Sequence, residues 1–378
     1  MREKTPDVLI LGGGIIGLAC AHELAKAGLK VELLERRSAG AEASLAAAGM
    51  LAPLAESPEA GAFFEACRDS RDLWACWAAT LAEETGMSIE HDTSGTLAVA
   101  LEPGEEAQLA ALAAAARELG EPVEEIMPET LAHWVPDIAP SVRRALRLSG
   151  DHRVDNVQAC AVLAAAAARA GAALTYGFEV MRVERSAERV RVIGKSGTRE
   201  AARLVLAGGA WSGRIPGLPM LPVRPVRGQM ALLTGVDWPW SGSVRDVRSG
   251  GAYAVRRGVT GLLLGSTVEE AGFDAHPTLA GIESLLAFAR RAFPGLAGAH
   301  LETVWAGLRP GTPDDLPFLG PLPGWPAVLA ATGHFRNGIL LAPWTAREVV
   351  RMILDGAGPG IGSDIRSPFS PARFLLSS

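Results

Sequence analysis

The chain has 378 residues, of which 48% are hydrophobic and 21% are charged, and its formal net charge is −6. This length is enough for two domains or one large elaborated domain, and the composition excludes a disordered chain. The acidic balance, with no run in which Lys and Arg alternate with aromatic residues, argues against a nucleic-acid-binding protein.

The first forty residues predict a strand–helix–strand unit. An apolar strand over residues 7–11 precedes a helix from about Ile15 to Lys26, and Gly28 can take the left-handed conformation that ends a helix. A second strand, Lys30–Leu34, leads to Glu35. This order is typical of a βαβ unit.

Helical and strand patterns alternate further along the chain. Helices are predicted over residues 58–85, 103–120, 157–170 and 278–292, and a strand over Thr96–Leu101. Asn156 is placed to cap the third of these helices. The segments EVMRVERS and RVRVIG predict an antiparallel meander, and LVLAGG predicts a buried strand that ends at two glycines. The C-terminal part predicts a strand, a glycine-containing corner and a long helix.

The order of these elements predicts an α/β protein with a second, α+β domain. Nucleotide-type βα elements occur at the start, in the middle and at the end, so we expect a Rossmann-like domain into which an antiparallel-sheet domain is inserted twice. We predict the first domain over residues 1–88, 150–220 and 304–378, and the second over residues 89–149 and 221–303.

The cysteine pattern and the first apolar run indicate the compartment. The four cysteines, at positions 20, 67, 76 and 160, form no CxxC pair and have no histidine at metal-ligand spacing. We therefore expect free thiols of a reducing compartment and no metal site. Polar residues at 22, 23 and 26 interrupt the apolar run, which has no cleavage site. We expect a cytoplasmic protein without a membrane span.

Three spaced glycines follow the first strand, where it turns into the helix. Gly12 allows the tight turn, Gly14 lets a pyrophosphate approach the backbone, and Gly17 lets the helix pack on the strand. The free N–H groups at the start of the helix then point at the phosphates. Glu35, at the end of the second strand, can accept the ribose hydroxyls. The pattern predicts a dinucleotide site, but both NAD and FAD use this corner.

Three further stretches favour FAD. LVLAGGAWSG places glycines at the end of a late strand, where the chain can pass close to the cofactor. TGHFRNGILLAP repeats the strand–corner–helix pattern, and a second helix N-terminus could stabilise the negative charge of a reduced flavin. SLAAAGML offers small residues against which a flat ring can lie. We therefore predict an FAD-binding first domain and a substrate-binding second domain.

These motifs, together with WAGLRPGTPDDLPFLG, resemble the D-amino acid oxidase family of FAD-dependent oxidoreductases over nearly the whole chain. Besides the glycine corner, the resemblance implies FAD contacts at Ile15, Ile16, Glu35, Arg36, Ala43, Ser44, Ala48, Gly49, Met50, Val180, His334, Phe335, Arg336, Asn337, Gly338, Ile339 and Leu340. Relatives with covalent flavin place a cysteine near the later substrate motif. No cysteine follows position 160 here, so we expect FAD to be bound non-covalently.

The resemblance also implies the substrate-binding residues. Arg309 binds the substrate carboxylate, Arg336 lies at the substrate and flavin end, and Tyr253 closes on the carboxylate. A guanidinium fork suits this task because two parallel hydrogen bonds fix position and angle together. The alternatives are an ion pair of Arg309 with Asp314 or Asp315, loop-carbonyl bonds for Arg336, and a plain strand aromatic for Tyr253.

Other side chains near these motifs carry weaker expectations. We assign no general base, because hydride transfer from a neutral amine needs none, and we expect His334 to be a packed corner histidine. Trp305 and Trp344 flank the arginine motifs and are expected near the site. Gly251 and Val268 differ from the larger or more polar side chains of relatives, which leaves the preferred amine open.

The resemblance implies oxidative deamination of glycine and other small amino acids. A hydride passes from Cα to flavin N5, and dioxygen reoxidises the flavin and gives hydrogen peroxide. It also implies a part in thiamin biosynthesis, and we expect a homo-oligomer. Three alternatives stay open: a D-amino acid or opine dehydrogenase that passes electrons to a quinone, a nicotinamide-dependent reductase, and a flavin-holding structural subunit.

Overall fold

A computed structural model describes residues 5–56, 59–142, 144–186, 189–248, 251–355 and 367–374. Within these residues the strands are β1 (Val8–Leu11), β2 (Val31–Glu35), β3 (Met50–Leu51), β4 (His91–Asp92), β5 (Thr96–Val99), β6 (Val123–Ile126), β7 (Ala145–Leu148), β8 (His152–Val154), β9 (Ala173–Tyr176), β10 (Val180–Ser186), β11 (Arg189–Gly194), β12 (Gly197–Ala201), β13 (Arg203–Leu206), β14 (Arg224–Thr234), β15 (Ser243–Asp246), β16 (Tyr253–Arg257), β17 (Gly261–Gly265), β18 (His300–Gly311), β19 (Phe318–Leu322) and β20 (Trp325–Thr332).

The helices of the same residues are α1 (Ile15–Lys26), α2 (Ala43–Ala46), α3 (Pro53–Glu56), α4 (Ala62–Thr85), α5 (Glu106–Glu118), α6 (Pro128–Trp134), α7 (Asn156–Arg169), α8 (Leu279–Ala292) and α9 (Ala342–Leu354). None of them is both long enough and apolar enough to cross a bilayer.

The glycine corner belongs to a six-stranded sheet in the order β19-β20-β13-β1-β2-β9. All its pairings are parallel except that of β19 with β20. Every residue of β1 is buried, as expected for a central strand covered on both faces. Helix α1 packs against α7 and α9 on one side of this sheet. The α/β class and the βαβ start predicted from the sequence are confirmed.

A second sheet has eight strands in the order β18-β14-β17-β16-β15-β5-β7-β6. Its pairings are antiparallel except that of β15 with β5. Helix α8 packs on β14 and β17. The long strand β18 lies at the edge and crosses the boundary that we predicted between residues 303 and 304.

The local predictions hold with small shifts and one correction. The meander is the sheet β10-β11-β12, helix 278–292 is α8, and helix 58–85 is α4, with position 58 outside the described residues. The predicted N-cap Asn156 is wrong. Asp155 caps α7, because its carboxylate accepts the N–H groups of Val157 and Gln158, and Asn156 is the first helical residue.

Candidate active site

Two glycines of the corner, Gly12 and Gly17, allow close contacts between backbone segments. Gly12 has φ +107°, and a Cβ added to it would lie 2.4 Å from the carbonyl oxygen of Ala207, which directly follows the neighbouring strand β13. A Cβ on Gly17 would lie 1.9 Å from the carbonyl oxygen of Gly12, so only glycine lets α1 pack this close to β1. The N–H of Ile15 donates to Ser44 Oγ at 3.0 Å. The corner therefore meets the segment that begins α2.

Two adjoining cavities open on either side of this corner. Their empty spaces are about 1120 and 1040 Å³, their mouths included. They share five lining residues, namely Gly14, Ala43, Ser44, Ala207 and Gly209. The corner thus lies at the middle of one elongated site. This arrangement fits FAD, whose pyrophosphate joins two bulky ends and is bound at a helix N-terminus.

The predicted cofactor residues divide between the two cavities. The first is lined by Gly14, Ile15, Ile16, Ala43, Ser44, Ala48, Gly49, Met50, His334, Phe335, Arg336, Asn337, Gly338 and Ile339. The second is lined by Gly12, Gly14, Glu35, Arg36, Ala43, Ser44 and Val180. Leu340 lies behind the wall, where its carbonyl accepts from Ser70 Oγ at 2.6 Å and Trp74 Nε1 at 3.1 Å. Gly17 lies inside the strand–helix contact.

The second cavity carries the carboxylate expected for a ribose. Glu35 Oε2 accepts the N–H of Gly13 at 2.7 Å, and Oε1 accepts the N–H of Arg37 at 2.7 Å. These bonds hold the carboxylate beside the corner. The Arg36 guanidinium lies over the Trp211 ring, 3.9 Å from its centroid. Trp211 was not singled out from the sequence, although it follows the two glycines of LVLAGGAWSG.

The segment 43–50 is held against β8 and α7. Gly49 has φ +82°, and a Cβ there would lie 1.9 Å from the carbonyl oxygen of Val154. The fully buried Asn156 donates from Nδ2 to the carbonyl of Ser44 at 2.8 Å and accepts from Arg257 Nη2 at 2.7 Å. Asn156, the first residue of α7, therefore links this helix to the segment 43–50 and to strand β16.

Arg309 extends from β18 into the wall of the first cavity. Its Nη1 donates to the carbonyl of Thr267 at 3.0 Å, and its Nη2 donates to Ser266 Oγ at 2.6 Å. Both acceptors follow β17. The alternative partner Asp314 forms its ion pair with Arg373 at 2.8 Å. The contacts shown for Arg309 thus place it at the cavity rather than in the loop that follows β18.

Gly228 makes room for this guanidinium. A Cβ added to Gly228 would lie 2.2 Å from Arg309 Nη1 and 2.3 Å from Nη2. Gly228 lies on β14, which pairs with β18 in a register that sets Val226 opposite Arg309. The guanidinium therefore lies across the neighbouring strand at the one position without a side chain. Sequence reasoning missed Gly228, because only the strand register brings it to Arg309.

Tyr253 lies on β16 in the wall of the same cavity and is 8% exposed. Its hydroxyl lies 3.8 Å from Met230 Sδ. Space for Tyr253 is left by Gly265, its pairing partner on β17, where a Cβ would lie 2.6 Å from Tyr253 Oη.

The turn 334–340 follows β20 and lines the first cavity as far as residue 339. The N–H of Phe335 donates to the carbonyl of Pro310 at 3.0 Å, next to Arg309. His334 is 2% exposed, and its Nε2 lies 3.0 Å from Thr345 Oγ1. Burial lowers the pKa of His334 to about 3, so the imidazole is neutral. Helix α9 begins only at Ala342, so the turn, and not the helix start, faces the cavity.

The remaining residues singled out from the sequence divide by position. Arg336 lines the first cavity and is partly buried. Trp305 packs on the cluster around Tyr253, and its Nε1 donates to the carbonyl of Ala46 at 3.2 Å. Trp344 lies in the core against Phe369. No cluster of three or more His, Cys, Asp or Glu side chains suited to a metal ion occurs within the described ranges.

Comparison with known proteins decides the family. The profile of the DAO family, described as FAD dependent oxidoreductase, matches residues 7–352. The chain belongs to this family. The resemblance to D-amino acid oxidases and the prediction of FAD are therefore confirmed, and the protein is an FAD-dependent oxidoreductase.

The chain is similar to glycine oxidases and to a bifunctional relative in sequence and in structure. Glycine oxidase of Pseudomonas aeruginosa is 36% identical over 97% of this chain and 99% of its own. The bifunctional protein ThiO/ThiG of Synechocystis is 37% identical over the whole chain, which spans 55% of that relative. The crystal structure of glycine oxidase from Geobacillus kaustophilus has a TM-score of 0.90 and 32% identity, with 98% of this chain and 99% of that chain covered.

Proposed function

We propose that the protein is an oxidase of glycine and other small amino acids. One observation carries the proposal: a single cavity has in its wall Arg309, Tyr253, the start of α1 and the turn 334–339. The site thus presents a carboxylate-binding fork beside the expected position of the cofactor's reactive end. The glycine oxidases among its relatives support the same reaction.

Arg309 is proposed to bind the substrate carboxylate. Hydrogen bonds to Ser266 and Thr267 hold its guanidinium, so the orientation of the guanidinium is set before the substrate binds. The Tyr253 hydroxyl, whose described neighbour is the thioether of Met230, is proposed to donate a second hydrogen bond to the carboxylate. A thioether is a weak acceptor, so the hydroxyl loses little when it turns to a carboxylate. Arg336 is proposed to lie at the same end.

FAD is proposed to be held by the residues assigned from the sequence. The Gly12–Gly17 corner and Ser44 lie at the junction of the cavities, Glu35 and Val180 lie in the second, and the turn 334–339 lies in the first. When bound, FAD supplies the hydride acceptor and is the centre that dioxygen reoxidises with release of hydrogen peroxide. We propose that it is non-covalent, since the free thiols lie no later than Cys160.

The protein's own task in the reaction is orientation and exclusion of water. Ala48, Met50, Met230 and Tyr253 give the cavity an apolar wall beside Arg309. His334 is neutral and hydrogen-bonded to Thr345, so we assign it no proton transfer. The substrate is proposed to react as the neutral amine, with its proton lost to solvent before the hydride leaves Cα.

We extend the proposal to the setting of the protein. The four free thiols support a cytoplasmic location. The sequence resemblance and the ThiO/ThiG relative support a part in thiamin biosynthesis. We propose a homo-oligomer, with an FAD-binding domain of residues 1–88, 150–220 and 304–378 and a substrate-binding domain of residues 89–149 and 221–303. Arg309 is proposed to reach the substrate from β18, the strand that crosses this boundary.

The test begins with the purified protein, which should be yellow and should release all its flavin on acid denaturation. Glycine added without oxygen should bleach the flavin absorbance, and air should restore it rapidly with formation of peroxide. A panel of glycine, sarcosine, D-alanine and D-proline then ranks the substrates. Bleaching without recolouring in air would replace the oxidase by a dehydrogenase that uses a quinone. A colourless protein that binds no added flavin would overturn the proposal.

A further inference from the structure

Thr267, one of the two acceptors of Arg309, belongs to a partly buried polar network. Thr267 Oγ1 accepts the N–H of Gln229 at 2.9 Å and donates to Glu269 Oε1. Glu269 Oε2 accepts from Arg227 Nη2 at 2.5 Å and from its Nε at 3.1 Å. The side chains of Thr267 and Glu269 therefore hold the segment 266–269 against β14.

Gln229 is the centre of this network. It is 0% exposed. Its Nε2 donates to Glu269 Oε1 at 2.7 Å and to Thr278 Oγ1 at 2.9 Å, and its Oε1 accepts the N–H of Thr278 at 2.7 Å. Each polar atom of the amide is thus used. Thr278 is the N-cap of α8, so one side chain joins the helix start, the segment 266–269 and strand β14.

Gly228 and the Gln229 side chain face opposite sides of β14. A Cβ on Gly228 would meet the Arg309 guanidinium, whereas Gln229 Nε2 lies 2.1 Å from the position of a Cβ on Gly281 in α8. Successive residues of a strand face opposite sides, so Gln229 supports Arg309 from behind the sheet. The Gln229 side chain does not line the cavity, and its effect on the guanidinium passes through Glu269 Oε1, which accepts from both Gln229 Nε2 and Thr267 Oγ1.

We propose that Gln229 is a positioning residue for the substrate carboxylate. It holds the segment 266–269, and through Ser266 and Thr267 it fixes the orientation of the Arg309 guanidinium. The inference rests on the proposed function of Arg309 as the carboxylate anchor. A purely structural Gln229, which only fastens α8 to the sheet, would affect stability and leave the affinity for carboxylates unchanged.

The experiment measures the binding of acetate, a carboxylate that cannot be oxidised, from the change in flavin absorbance of the FAD-loaded protein. Gln229→Met keeps the side-chain volume and removes the side-chain hydrogen bonds to Glu269 and Thr278, whereas the backbone N–H bond to Thr267 Oγ1 stays. We expect the acetate Kd to rise roughly tenfold, because a guanidinium that is no longer fixed loses its alignment. The FAD dissociation constant should stay unchanged. Thr267→Val, which removes the hydroxyl but keeps the carbonyl, should give the same change.

A double-mutant cycle distinguishes positioning from structure. In an Arg309→Ala background, Gln229→Met should not change the acetate Kd further, since its effect passes through that guanidinium. Ser243→Ala is the matched control, because it breaks another buried hydrogen bond of the same sheet, that with Thr96 at 2.8 Å. This control should lower the melting temperature and leave the acetate Kd unchanged.

The outcomes separate the two levels of the proposal. Acetate binding equal to wild type in both Gln229→Met and Thr267→Val would overturn the positioning inference alone. An equal loss in the wild-type and Arg309→Ala backgrounds would also overturn it, since the effect would then bypass Arg309. Acetate binding that survives unchanged in Arg309→Ala would overturn the proposed function of Arg309 and this inference with it.

Discussion

Gly228→Ala is a direct test of how the fold places the Arg309 guanidinium. The added methyl would lie 2.2 Å from Nη1, 2.3 Å from Nη2 and 2.4 Å from Cζ, against an ordinary contact distance of at least 3.4 Å. The guanidinium must therefore move by about 1.2 Å, since the methyl is fixed to the strand and the side chain is flexible. Its bonds to Ser266 and Thr267 cannot survive such a displacement.

The size of the effect follows from this displacement. A misplacement of about 1 Å in a positioning group costs on the order of 10²-fold in rate. We therefore expect kcat/KM for glycine and the affinity for acetate to fall about 100-fold. Because only a side-chain end has to give way, the free energy of unfolding should change by less than about 1 kcal/mol.

The assay compares three variants with the wild type. Peroxide-coupled kinetics give kcat and KM for glycine, flavin titration gives the Kd of acetate, and thermal unfolding reports stability. Gly298→Ala is the control, because a Cβ there meets nothing within 4 Å and its backbone is not left-handed. Arg309→Ala sets the lower limit. If Gly228→Ala binds acetate and oxidises glycine as the wild type does, the open space above Arg309 is not needed and the reasoning fails.

Three further changes test other parts of the site and fold. Arg309→Lys keeps the charge but loses the fork, so kcat/KM should fall by about two to three decades, equivalent to roughly 3–4 kcal/mol. Unchanged kinetics would contradict the proposed anchor. His334 is neutral above its pKa of about 3, so His334→Ala with bound FAD should keep most of the activity. The pH profile of this variant between pH 6 and 9 should equal that of the wild type, because the substrate amine and not His334 determines it. Burial raises the pKa of Asp151 from 3.8 to about 7, so the folded protein binds the extra proton and loses stability as the pH rises through this interval. Asp151→Asn should therefore flatten the stability profile in urea titrations between pH 4 and 8, and a profile parallel to that of the wild type would refute the buried neutral carboxyl.

The elements with local signals could be predicted from the sequence. The start of the chain carries a local signal for its own turn, because Gly17 is required by a contact with Gly12 inside one βαβ unit, whereas Gly12 is also required by the carbonyl of Ala207 beyond that unit. Helix α8 carries both its cap, Thr278, and a clear apolar stripe. The capping of α7 shows the limit of such signals. Asp155 and Asn156 are both good N-caps, and only tertiary contacts assign Asn156 to Ser44 and Arg257.

The site itself depends on strand register, which no local pattern fixes. Arg309, Tyr253 and the turn 334–340 could be named because their motifs resemble a family. Gly228 and Gln229 carry no motif, and they matter only because β14 pairs with β18 on one side and β17 on the other. In the same way, Gly265 leaves space for Tyr253 only because the strand register pairs these two residues across the sheet.

The junction between the two large sheets joins the proposed carboxylate anchor, Arg309, to the proposed cofactor-binding turn 334–340. Strand β18 carries Arg309 at the edge of the eight-stranded sheet, and the turn 334–340 leaves the six-stranded sheet after β20. The hydrogen bond from the N–H of Phe335 to the carbonyl of Pro310 joins them one residue beyond Arg309. Because Phe335 has φ +47°, the turn is bent toward this carbonyl at a residue whose backbone rarely takes that conformation. If Arg309 binds the carboxylate as proposed, this junction sets the distance between that carboxylate and the cofactor end of the cavity. A change in either sheet that breaks the bond should then alter substrate alignment before it alters the affinity for FAD.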